Sequence, residues 1–126
     1  MKTKLKSTAP YTETLARFTR RYQAQNLLTL PQASWQAQQL LRLLHYMQTK
    51  KAFIAFQRAN RPLQWVIATL IYYPDTFKHP FDVNKIEISI PYWDVRKRQW
   101  RTFKVESFLY WAPLSDGYFI EQSRFE

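Results

Sequence analysis

The sequence predicts an α+β protein in which an N-terminal helical hairpin packs on a small five-stranded antiparallel β-barrel. Apolar residues before position 50 recur at helical spacing, and after Lys50-Lys51 the period shortens to that of strands. With 46% hydrophobic and 17% aromatic side chains, 126 residues are enough for one core of domain size.

Residues 1–9 are basic and polar and read as a flexible arm closed by Pro10. Tyr11, Leu15, Phe18 and Tyr22 then form a helical stripe, with Thr12 as its cap and Arg17, Arg20 and Arg21 on the flanks. Thr29-Leu30-Pro31 opens a second helix, since proline suits the first turn, and Ala33, Ala37, Leu40, Leu41, Leu44 and Met47 share one face of it. The short connection makes residues 10–50 a hairpin and leaves residues 51–126 to the barrel and a C-terminal tail.

Residues 52–58 and 63–71 read as two strands around the turn Ala59-Asn60-Arg61-Pro62. Both faces of the second are apolar, as expected of a strand with barrel interior on one side and a covering helix on the other. Residues 72–85 form a long aromatic loop, within which Phe77 and Phe81 are expected to pack and Tyr72 and Tyr73 to face a ligand. Ile86, Ile88, Ile90 and Tyr92 alternate with polar neighbours as a third strand, and residues 100–105 form a fourth after a hairpin connection. Glu106 to Leu109 suggest a helical turn, and Tyr118-Phe119-Ile120 after the Asp116-Gly117 turn suggest the fifth strand.

Composition excludes several chemistries. Gly117 is the only glycine, so no phosphate-cradling or dinucleotide-binding glycine loop can form. Cysteine is absent, and His45 and His79 stand alone, which argues against a metal centre, a histidine triad or a bound cofactor. Asp75 and Asp82 flank the aromatic loop, and two lone carboxylates do not make acid–base catalysis. The expectation is a non-enzymatic protein. No apolar run suits a membrane span or signal peptide, so a cytoplasmic location is expected.

The net charge of +10 points to a polyanionic partner. It is uneven, because residues 1–50 carry eight basic side chains against Glu13 alone.

Residues 52–111 resemble the compact WYL-like domains, small barrels of Sm-like or SH3-like fold. The matching pieces are Phe53 to Phe56, Ala68-Thr69-Leu70, Tyr92-Trp93-Asp94 and, most specifically, Trp100-Arg101-Thr102-Phe103-Lys104-Val105-Glu106. The turn glycines of that family are replaced here by Ala68 and Gln99. Related WYL-type domains occur in bacterial transcription regulators and CRISPR-associated accessory proteins, so the resemblance implies regulation through nucleic acid or nucleotide-like ligands.

The candidate binding residues are Arg96, Lys97, Arg98 and Lys104 with Trp93, Trp100 and Tyr73, because stacking aromatics beside cations hold single strands. Trp93 and Trp100 read equally as a cross-strand pair stabilising the hairpin. Arg101 shares a face with Phe103 and Val105 and is expected to pair with Glu87, Asp94 or Glu106. Arg17, Arg20 and Arg21 form a second basic surface suited to phosphate contact. The partner expected is RNA or single-stranded DNA. The competing class is a mobile-element or phage-type inhibitor or adaptor that docks on a host or nuclease-complex protein.

Overall fold

The computed structural model describes residues 2–114, with side chains from Tyr11 onward. Two helices, α1 (Lys2–Asn26) and α2 (Leu30–Met47), precede strands β1 (Ala52–Phe56) and β2 (Gln64–Thr69). A short helix α3 (Tyr73–Phe77) and a 3-10 turn (Val83–Lys85) follow, then β3 (Ser89–Asp94), β4 (Gln99–Lys104), a second 3-10 turn (Val105–Ser107) and β5 (Phe108–Pro113).

The sequence places an arm over residues 1–9 and a helix start with Thr12 as cap, but α1 runs from Lys2 straight through Pro10. An internal proline forfeits an amide hydrogen bond and crowds the preceding turn, and α1 continues across Pro10 nonetheless. The buried stripe of α1 is Thr14, Phe18 and Tyr22, while Tyr11 is exposed. Leu27 ends the helix in the left-handed region at φ 55°. Thr29 then caps α2 reciprocally with Gln32, and Pro31 occupies the first turn. Every residue expected on the inner face of α2 is buried, with Leu43 added.

The five strands form one antiparallel sheet in the order β4-β3-β2-β1-β5. Only Ala68↔Asp94 and Thr69↔Trp93 pair between β2 and β3, so the sheet splays and bends there. The second 3-10 turn links the two edge strands β4 and β5, and its Ser107 carbonyl accepts the Gln57 amide at 2.9 Å. The Arg58 guanidinium donates to the Thr102 carbonyl at 3.1 Å. Inward residues of this barrel, among them Ile54, Phe56, Ile90, Tyr92 and Phe103, join Phe18, Tyr22, Leu40 and Met47 in one core.

The strand expected at residues 118–120 lies outside the described residues. Among the described residues the fifth strand is β5, directly after the 3-10 turn. The helices cover the barrel mouth, touching β1, β5 and both 3-10 turns, and leave the start of β2 uncovered. Trp65 is therefore 57% exposed, contrary to the expected helical cover, and meets Tyr110 edge to face at 6.3 Å.

Candidate nucleic-acid interface

The β3–β4 hairpin carries most of the predicted residues. Its register pairs Trp93 with Trp100, Pro91 with Thr102 and Ser89 with Lys104, and these six side chains share the outward face. At the tip, the Asp94 carboxylate accepts the backbone amides of Arg96 and Lys97 at 3.1 and 3.0 Å. The Arg98 amide closes the turn on the Asp94 carbonyl at 2.7 Å. Asp94 is buried and occupied by the backbone, whereas Arg96, Lys97 and Arg98 are exposed. Arg98 sits at φ 56°, a conformation that favours glycine, so a turn that would suit glycine holds a cation instead.

Beside the tip lies an aromatic shelf. Trp93 and Trp100 meet at 5.7 Å and 70° as a cross-strand pair, and both are half-buried. Helix α3 leans on them, with Phe77 at 5.1 Å from Trp100 and Tyr72 at 5.8 Å from Trp93. Tyr73 occupies the centre of the cluster, against Phe77 at 4.6 Å, Phe81 at 5.2 Å and Trp100 at 6.0 Å. The expected division within the loop is therefore half reversed. Phe81 packs as expected, but Tyr73 is a packing residue, and Phe77 shares with Tyr72 the solvent-facing edge, each 42% exposed. Residues 73–77 form a helical turn, which places Tyr73 and Phe77 on one side, with Tyr73 enclosed among Phe77, Phe81 and Trp100 and Phe77 outermost.

The basic face of α1 divides. Arg17 donates to the carbonyls of Asn84 and Ile86 at 3.0 and 2.8 Å, and Arg21 forms an ion pair with Glu106 at 2.8 Å. These two arginines hold α1 against the barrel, while Arg20 is exposed. Lys104 is exposed at the far end of β4, four residue steps or about 13 Å from Trp100's pair with Trp93.

Arg101 lies opposite Tyr92 across the β3–β4 pair, while Glu106 is engaged by Arg21 and Asp94 accepts the tip amides. Burial raises the Tyr92 pKa above the usual phenol range, while the positive charge of Arg101 opposes that rise.

A second feature was not singled out from sequence. The end of α1, the β1–β2 turn and the ends of β3 and β4 enclose a cleft of about 880 Å³ that includes Arg58, Asn60 and Lys104. The sequence marks Ala59-Asn60-Arg61-Pro62 only as a turn, and a turn's neighbours in space are not written in its spacing. Among the described residues, no three His, Asp or Glu side chains gather as metal ligands. Among the described residues, no helix is long and apolar enough to cross a membrane.

A bent five-stranded antiparallel sheet whose edge strands are linked by a 3-10 turn, with helices across its mouth, defines a small barrel of the SH3-like class. Residues 40–109 match the family described as WYL_2, Sm-like SH3 beta-barrel fold, and the chain belongs to that family. The match opens in the second half of α2 and closes in β5, so it takes in the hairpin, the shelf and most of the cleft but none of α1. No curated protein and no solved structure matches the chain.

Proposed function

We propose that the protein binds nucleic acid, RNA or single-stranded DNA ahead of duplex, as a non-catalytic cytoplasmic regulator or accessory factor. The observation that carries this reading is the β3–β4 tip, where Arg96, Lys97 and Arg98 stand exposed beside an aromatic shelf and the buried Asp94 carboxylate accepts two backbone amides through Oδ1. Unpaired bases can lie on the edge formed by Tyr72 and Phe77 while the cations neutralise phosphates. A duplex keeps its bases stacked on one another and gains only the phosphate contacts. Membership of the WYL_2 family supports the same class of ligand.

Fluorescence anisotropy with oligonucleotides across a salt series tests it. Affinity is expected to fall with a log–log slope of about −0.7 for each phosphate neutralised on a single strand. Changing Arg96, Lys97 and Arg98 together to Ala should flatten that slope by about 2 without unfolding the chain. Absence of binding to any oligonucleotide at low salt rules the proposal out.

A second reading, a protein-binding inhibitor or adaptor of mobile-element or phage type, is favoured by a different surface. Leu27, Leu30 and Trp35 are 88%, 60% and 59% exposed at the closed end of the helical hairpin. They lie within residues 22–41, a stretch without a single charged side chain in an otherwise strongly basic protein. Such a patch offers nothing to a phosphate and suits a protein contact. Partners recovered from lysate that survive nuclease treatment and are lost in Trp35→Ala would support this reading.

A further inference from the structure

We infer that the cleft between the end of α1, the β1–β2 turn and the edge of β4 binds a nucleoside phosphate. Its volume of about 880 Å³ lies within the range of ligand pockets, roughly 300–1,000 Å³, and is far larger than inorganic phosphate needs. Three charged side chains line it. Glu106 is held by Arg21 at 2.8 Å, while Arg58 and Lys104 are exposed, so the cleft carries net positive charge toward its contents.

The two cations are differently prepared. Arg58 spends one donor on the Thr102 carbonyl at 3.1 Å, which fixes the guanidinium plane across the cleft and leaves the rest of its fork for phosphate oxygens. Lys104 stands on the facing strand as a mobile point charge.

The remainder of the lining suits a base. Gln25 and Asn60 are exposed amides, able to match the donor and acceptor pair on a base edge. Leu109, 44% exposed, gives an apolar wall for the flat face of the ring. Asn60 lies at φ 61°, a left-handed turn position that asparagine tolerates better than most non-glycine residues, and its amide lines the cleft.

This site shares no residue with the β3–β4 tip, so it stands apart from the proposal above. The same chemistry is offered by a free mononucleotide and by one nucleotide of a strand.

Titration calorimetry with the four ribonucleoside 5′-monophosphates and with inorganic phosphate tests the inference. At least one nucleotide should bind tenfold or more tightly than phosphate. Lys104→Glu, an exposed position whose change leaves the fold intact, should weaken that binding at least tenfold, and Arg58→Ala should do likewise. Asn60→Gly keeps the turn and should weaken it severalfold, while the Arg96, Lys97 and Arg98 triple alanine variant should bind nucleotide normally. Competition by an oligonucleotide assigns the site to a nucleotide within a strand, and its absence assigns it to the free nucleotide; both support the cleft. No nucleotide binding at millimolar concentration, equal binding of phosphate, or binding that survives Lys104→Glu overturns the inference. In each of those cases oligonucleotide binding that depends on the tip would still stand.

Discussion

The Thr69 hydroxyl lies 3.1 Å from the Met47 carbonyl and 2.9 Å from the Lys50 carbonyl, joining the last strand residue of β2 to the end of α2. It also accepts the Ile71 amide at 3.1 Å, so one fully buried side chain serves three backbone groups. Helix ends leave carbonyls without intrahelical partners, and here the barrel supplies the donor. Replacing Thr69 by Val keeps the shape and removes the hydroxyl, and should lower stability by about 1–3 kcal/mol in a denaturant titration. Oligonucleotide affinity should be unchanged for the folded fraction.

Arg98 should trade stability against binding. Glycine accepts φ 56° without the steric cost an arginine bears, so Arg98→Gly is expected to raise stability by about 0.5–1 kcal/mol. The same change removes a tip cation and should weaken strand binding at low salt. Thermal melts and anisotropy on one sample should therefore move in opposite directions.

The arginines of α1 should separate by role. Arg21→Ala breaks the ion pair with Glu106 and is expected to cost about 1–2 kcal/mol while leaving the salt slope of binding unchanged. Arg20→Ala should leave stability within about 0.5 kcal/mol. Equal stability of the two variants would contradict the anchoring assigned to Arg21.

Alkaline stability should depend on Tyr22. Burial, and secondarily the negative charge of Glu106, raises its pKa well above the ordinary phenol value of 10.0. The folded state therefore keeps a proton that the unfolded chain releases near pH 10. Its stabilising contribution is complete below that pH and is lost as pH climbs toward the folded value. The hydroxyl has no hydrogen-bond partner among the described residues, so Tyr22→Phe should leave neutral-pH stability equal or higher and make the decline above pH 10 shallower. Equilibrium unfolding from pH 7 to 11 measures both effects.

The aromatic shelf should divide into core and contact. Phe81→Ala is expected to cost about 3–5 kcal/mol, because Phe81 is 8% exposed within the main core. Tyr73→Ala should also lower the melting temperature, since Tyr73 touches Phe77, Phe81 and Trp100. Tyr72→Ala and Phe77→Ala should each change stability by less than about 1 kcal/mol and weaken oligonucleotide binding.

Period made the helices and the β3–β4 hairpin legible in the sequence, since the inner face of α2 and the alternation from Trp100 to Val105 both follow from spacing alone. The Asp94 turn was legible as a length, but its left-handed residue is Arg98 and not the Gln99 at which the family resemblance puts glycine. Partnership was not legible. Whether Arg17 and Arg21 meet phosphate or protein depends on Asn84, Ile86 and Glu106, which lie some seventy to eighty-five positions away. Tyr73 and Phe77 exchanged their expected exposures because a five-residue helix formed within the stretch read as a long aromatic loop. The cleft required α1, a turn and two strand ends to meet, and no local pattern encodes that meeting.

Helix α1 is secured to the barrel by bonds that span the chain: Thr14 to Asn84, Arg17 to Ile86, Arg21 and Asn26 to Glu106, with sequence separations of 70, 69, 85 and 80. During synthesis it is made before the other described elements, and its polar anchors follow some seventy to eighty-five residues later. At elongation rates of roughly 5–20 residues per second, Arg21 waits about 4–17 s for Glu106. Until β1 is made Phe18 and Tyr22 have only α2 to lie against, and Arg21 keeps its charge in water until Glu106 arrives. A nascent chain stalled before position 106 carries the helix unanchored by that ion pair, with Arg21 open to whatever polyanion is nearest, the ribosome's own RNA included.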